Sequence, residues 1–65
     1  MASQNRFPQT GEQSTVELVE ACGEWFVRVV EHGEPRTASF DLESFAIAYA
    51  EGQRKRLKLD RIVRF

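Results

Sequence analysis

Trp25-Phe26-Val27-Arg28-Val29-Val30 is the stretch on which the reading of this chain turns. Its aromatic and β-branched residues predict a strand, with Trp25, Val27 and Val29 on one face and Phe26, Arg28 and Val30 on the other. Upstream, Thr15, Val16, Leu18 and Val19 stand among Glu17 and Glu20, a pattern that suits an edge strand from Thr15 to Cys22 with one wet face. Gly23 marks a turn, and the short spacing makes the two strands a hairpin. Downstream, His32-Gly33-Glu34-Pro35 supplies the next turn, after which Arg36, Ala38 and Phe40 alternate with Thr37 and Ser39 in a third, shorter strand. A three-stranded antiparallel meander follows.

At Asp41 the apolar period changes from two to about 3.6, because Leu42, Phe45, Ala46, Tyr49 and Ala50 fall on one stripe of a helix. Asp41 is the expected N-cap. Glu43 complements the positive end of the helix dipole, and Arg54, Lys55 and Arg56 complement the negative end. Gly52 costs about 1 kcal/mol inside a helix, so the helix either stops there or runs on to Leu57, and we favour the longer form. Residues 59–65, Leu59-Asp60-Arg61-Ile62-Val63-Arg64-Phe65, mix apolar and basic groups and predict either a fourth strand or a strap across the sheet. Residues 1–13 are polar, punctuated by Pro8 and Gly11, and read as a flexible N-terminal tail. The expected fold is therefore a single small α+β domain over residues 14–65. It has a sheet of three antiparallel strands, or four if the last segment pairs, packed on one helix in the order β-β-β-α(-β).

With 65 residues the chain sits near the lower limit of independent stability, and dimerisation would help it. Its 42% hydrophobic and 29% charged residues suffice for a core and argue against wholesale disorder. No apolar run approaches the roughly 18–20 residues of a membrane span, and the N-terminus lacks the apolar stretch of a signal peptide. A cytoplasmic location is the default expectation. Cys22 is the only cysteine, which excludes an internal disulfide and fits a reducing compartment.

The motif order resembles a known architecture. Gly23-Glu24-Trp25, the alternating Val27 and Val29, a turn, and then Phe40-Asp41-Leu42-Glu43-Ser44-Phe45-Ala46-Ile47-Ala48-Tyr49-Ala50 look like the AP2-type DNA-binding domain and the related arm-type domains of phage integrases. The likeness covers roughly residues 15–57. It implies a three-stranded sheet whose open face lies in the DNA major groove, with a helix supporting the opposite face. The sheet cations at matching positions are Arg28 and Arg36, in the company of Glu17, Glu20, Glu24, Val30 and Glu31.

Catalytic signatures are missing. His32 is the only histidine and Cys22 the only cysteine, so a zinc site would need carboxylates in unusual company, and none has recognisable ligand spacing. As nucleophile and base the two would stand at opposite ends of one strand, roughly 25 Å apart. The glycines are isolated and read as turns, not as a phosphate loop. Hence we expect no enzyme, cofactor, metal or small-molecule substrate.

Charge supplies the first candidate site. Nine of the ten acidic residues lie within residues 1–52, and six of the nine Lys and Arg residues lie within 53–65, so the net charge of -1 conceals an acidic body and a basic end. Arg54, Lys55, Arg56, Lys58, Arg61 and Arg64 are candidates for contact with nucleic acid or an acidic protein; the plainer reading is a solvated helix end. The second candidate is the sheet. If Trp25, Val27 and Val29 pack on the helix, Phe26, Arg28 and Val30 emerge on the other face, and with Arg36 they form the candidate interaction surface. Ile62, Val63 and Phe65 could fold back over it, or a second copy could cover it as a homodimer.

Overall fold

The computed structural model describes residues 14–65; the expected N-terminal tail, residues 1–13, lies outside them. Strands β1 (Thr15–Ala21), β2 (Glu24–Glu31) and β3 (Glu34–Phe40) are followed by helix α1 (Glu43–Leu57) and a short strand β4 (Val63–Arg64). β1 pairs with β2 and β2 with β3, both antiparallel, while β4 runs parallel to β1. The sheet order is β3-β2-β1-β4, so residues 59–65 supply the fourth strand and make the sheet mixed. β1, expected at an edge, is thereby central, and β3 is the long edge strand. Pro35 agrees with that place, since a residue without an N–H is tolerated in a strand whose outer side has no partner.

Both hairpins close through two-residue loops. Ala21 faces Glu24 across Cys22-Gly23, and Glu31 faces Glu34 across His32-Gly33. Cys22 and Gly23 have φ of 55° and 81°, and His32 and Gly33 have 52° and 85°, the paired positive values of a type I′ turn. The second turn is thus two residues long, and Glu34 and Pro35, expected within it, already belong to β3. Ser14, buried at the start of the described chain, holds this turn by accepting a hydrogen bond from the His32 N–H at 3.3 Å.

The core is small: Val16 and Leu18 of β1, Val27 and Val29 of β2, and Ala46 and Ala50 of α1. Fully burying each Val or Leu contributes about 1.5–3 kcal/mol. Trp25, Phe40, Ile47, Leu57, Leu59 and Ile62 pack around its rim. α1 runs to Leu57 through Gly52, and the expected continuation is observed. Its start differs from expectation. The N-cap is Leu42, in extended conformation with no side-chain cap, and Asp41 lies one residue outside the helix. The seated face differs too. Ala46 and Ala50 are buried as expected, but Leu42, Phe45 and Tyr49 are not in the core: they are 52%, 59% and 37% exposed. Two alanines let the helix backbone lie close to the valines, and that close seat leaves no space beneath it for bulkier side chains.

The helix ends in a left-handed Lys58 at φ 59°. The Lys58 N–H bonds to the Lys55 carbonyl and the Leu59 N–H to the Arg54 carbonyl, a Schellman closure that usually carries glycine. The positive-φ non-glycine residues Cys22, His32 and Lys58 are therefore local costs accepted by the fold. Replacing His32→Asn and, separately, Lys58→Gly should each raise unfolding free energy in urea by about 0.5–1 kcal/mol. Unchanged or lower stability would contradict these turn and cap assignments.

Candidate interaction surfaces

The register sorts the candidate residues by face. Val16, Leu18, Trp25, Val27 and Val29 look toward α1, so Thr15, Glu17, Val19, Phe26, Arg28, Val30, Pro35, Thr37 and Ser39 look away from it. Phe26, Arg28 and Val30 thus share the open face, as the sequence implied. Arg36 does not join them: it lies opposite Val29, on the helix side of β3. The C-terminal segment does not fold back over this face. Ile62 packs against the core, while Val63 stands beside Glu17 on the open side, and the Phe65 N–H bonds to the Leu18 carbonyl at 3.1 Å. A fourth strand satisfies the backbone of 63–65, which a strap across side chains would leave unpaired. Across the centre of the face Arg28 pairs with Glu17 at 3.3 Å.

Half of the basic cluster serves the fold. Arg54 donates through Nε to Glu51 at 3.0 Å and through Nη1 to the Leu59 carbonyl at 3.0 Å, tying the helix end to the segment that leads into β4. Arg56 forks onto Glu31, Nη1 to Oε2 at 3.2 Å and Nη2 to Oε1 at 3.0 Å, clamping the helix end to the β2–β3 turn. Arg64 reaches Glu43 at 2.9 Å and joins β4 to the first turn of α1. Among the described residues Lys55, Lys58 and Arg61 form no ion pair. The three bonded guanidiniums already have carboxylate partners, with which a phosphate would compete.

Leu42, Phe45 and Tyr49 form a surface that the periodicity assigned to the core. They line the flank of α1 that overhangs β3, where the Tyr49 ring lies 5.4 Å from that of Phe40. Two sequence signals point to it in hindsight. Leucine is among the poorest N-caps, so Leu42 does not favour the helix start. Pro35 marks β3 as an edge, so the neighbouring flank of the helix has less sheet beneath it.

Among the described residues the structure does not bring Cys22 and His32 together. Cys22 is an exposed free thiol in the first turn, and His32 sits in the second, at the other end of β2. Among the described residues no group of three or more His, Cys, Asp or Glu is placed to hold a metal, and no helix is long and apolar enough to cross a membrane. A hollow of about 460 Å³ between α1 and the C-terminal segment is walled by Leu18, Ile47, Ile62 and the bonded Arg54 and Arg64. No protein-family model matches the chain, and neither a curated protein nor a solved structure does.

The hydrogen bond from Arg56 holds the Glu31 carboxyl below its ordinary value of 4.5, and the same bond raises the Arg56 guanidinium. A carboxylate whose value is lowered by folding adds stability that is full above its unfolded value and fades as pH falls through the folded one. The stability difference between the wild type and Glu31→Gln should therefore be constant above pH 4.5 and shrink below it. Urea titrations at pH 7 and pH 3 check this; an equal difference at both would show that the clamp does not depend on the charge.

Proposed function

We propose that this chain is a non-catalytic protein-interaction module that self-associates. The supporting observation is the bare apolar ridge of Leu42, Phe45 and Tyr49 on a helix whose other large apolar residues pack against the core. A small domain with six buried core side chains among the described residues has little stability to spare, yet it places the largely exposed ring of Phe45 and a leucine cap side by side in water. Rules of local stability broken together at one place are a mark of function. The open sheet face adds Phe26, Val19 and Val30, but these are half-buried by their cross-strand neighbours and interrupted by the Arg28–Glu17 pair.

The competing reading is nucleic-acid binding through the basic end. It has Lys55, Lys58 and Arg61 as cations without an ion pair among the described residues, because Arg54, Arg56 and Arg64 already hold Glu51, Glu31 and Glu43. The mode implied by the AP2-like resemblance would rest on Arg28 alone, paired with Glu17, since Arg36 is on the other face.

Salt separates the two. Sedimentation velocity from about 10 μM to 1 mM should show a concentration-dependent increase in mass that persists from roughly 50 mM to 500 mM salt. Phe45→Glu should weaken it by about tenfold or more, the behaviour of an interface anchor. A monomer throughout that range would overturn the proposal. Tight binding to a DNA duplex that collapses with added salt would establish the competing reading instead.

A further inference from the structure

Hairpin geometry fixes which backbone groups of β3 have partners. The residues flanking a two-residue I′ turn exchange both hydrogen bonds, so Glu31 and Glu34 form such a pair, and every second pair along the ladder does likewise. Glu34, Arg36, Ala38 and Phe40 therefore spend their backbone groups on β2, while Pro35, Thr37 and Ser39 point theirs outward. The same counting on β1 sends the Leu18 carbonyl away from β2, where it meets the Phe65 N–H. No strand among the described residues pairs with the outer side of β3. Pro35 and the charges of Glu34 and Arg36 guard the first half of that edge; Thr37-Ala38-Ser39-Phe40 is unguarded.

Building on the self-association proposed above, we infer that the partner is a second copy of this chain, joined edge to edge through β3 about a two-fold axis at Ala38. Antiparallel pairing centred there sets Thr37 against Ser39 of the other copy twice, and all four outward N–H groups and their four carbonyls are satisfied. Centred on Thr37, the Ser39 carbonyl would face Pro35, which has no N–H to give. Centred on Ser39, Thr37 would meet Asp41, beyond the end of the strand. The Ala38-centred register also sets Arg36 opposite Phe40 of the other copy, on the helix side, where the guanidinium can lie against the ring.

The helix ridge fits the same arrangement. α1 packs chiefly over β1 and β2, and at about 4.8 Å per strand the two helix axes would stand roughly 19 Å apart on one side of an eight-stranded sheet. That is about twice the 8–10 Å of direct helix contact. The gap lies above Ala38 and Phe40 and is bordered by Leu42, Phe45 and Tyr49 of both copies, whose side chains fill such a width. Their exposed fractions leave on the order of 300 Å² per copy on these three side chains. With the paired edges, the total reaches roughly 1,000–1,200 Å², the lower end for a specific dimer.

Amide hydrogen exchange on the wild-type protein reads this directly. The Thr37 and Ser39 N–H groups should exchange freely at about 10 μM and slow at least about tenfold near 1 mM, while Ala38 and Phe40, bonded to β2, stay protected at both. A covalent test stands beside it. The residues opposed at the axis form a non-hydrogen-bonded pair with Cα atoms about 4.5 Å apart, within disulfide range. In a Cys22→Asn background, Ala38→Cys should therefore oxidise to a covalent dimer at least about tenfold faster than Ser39→Cys, which faces Thr37 and not itself. A dimer by sedimentation with unprotected Thr37 and Ser39 and no Ala38→Cys bridge would overturn the β3 pairing and leave self-association standing. A monomer at every concentration would overturn both.

Discussion

The seating of Ala46 and Ala50 on the core formed by Val16 and Leu18 of β1 and Val27 and Val29 of β2 is the constraint from which the rest of this structure follows. A helix that meets a sheet through methyl groups comes close, and at close range only part of its circumference can touch the sheet. Ile47 and Leu57 complete the seated stripe. Leu42, Phe45 and Tyr49 are then carried to the flank above β3, and Glu51 and Arg54, with Glu43 held by Arg64, to the flank on the β4 side. The first flank is apolar and bare. The second is charged and closed by Arg64 on Glu43 and by Arg54 on Glu51 and the Leu59 carbonyl.

This asymmetry extends to the sheet. Beyond β1, the C-terminal segment supplies a short parallel strand that completes one side of the domain. Beyond β2, a seven-residue strand ends the sheet with outward backbone groups at Thr37 and Ser39, under the bare flank of the helix. The two features belong together: an unpaired edge and an apolar ridge on the same side describe one surface. The ion pairs do not counterbalance it, because exposed pairs such as Arg64–Glu43 contribute roughly 0–1 kcal/mol each. Their value is positional, fixing both ends of α1 and so the direction in which the ridge faces.

Much of this was legible in the sequence, and the failures have a common cause. Strict alternation in Trp25–Val30 placed Val27 and Val29 inward and Phe26, Arg28 and Val30 outward, as found. The change of period at Asp41 located the helix. Its rotation was not legible, since Ala46 and Ala50 belong both to the stripe that ends in Phe45 and Tyr49 and to the stripe that is seated. Hydropathy favours the bulkier stripe, while packing distance selected the smaller one. The place of β1, expected at an edge and found central, escaped the sequence for a similar reason. Nothing local in Leu59–Phe65 shows that it pairs with β1, and that one pairing makes β1 central and leaves β3 at the edge. The basic cluster read as a continuous patch because its partners Glu31 and Glu43 lie 25 and 21 residues away.

Unfolding of Phe45→Lys in urea at about 10 μM, where self-association is weak, tests the central claim most directly. If α1 is seated through Ala46 and Ala50 and the ridge faces water, the variant should keep the wild-type stability to within about 0.5 kcal/mol. A loss of about 3–5 kcal/mol, the cost of removing a packed aromatic, would place Phe45 in the core and contradict the account.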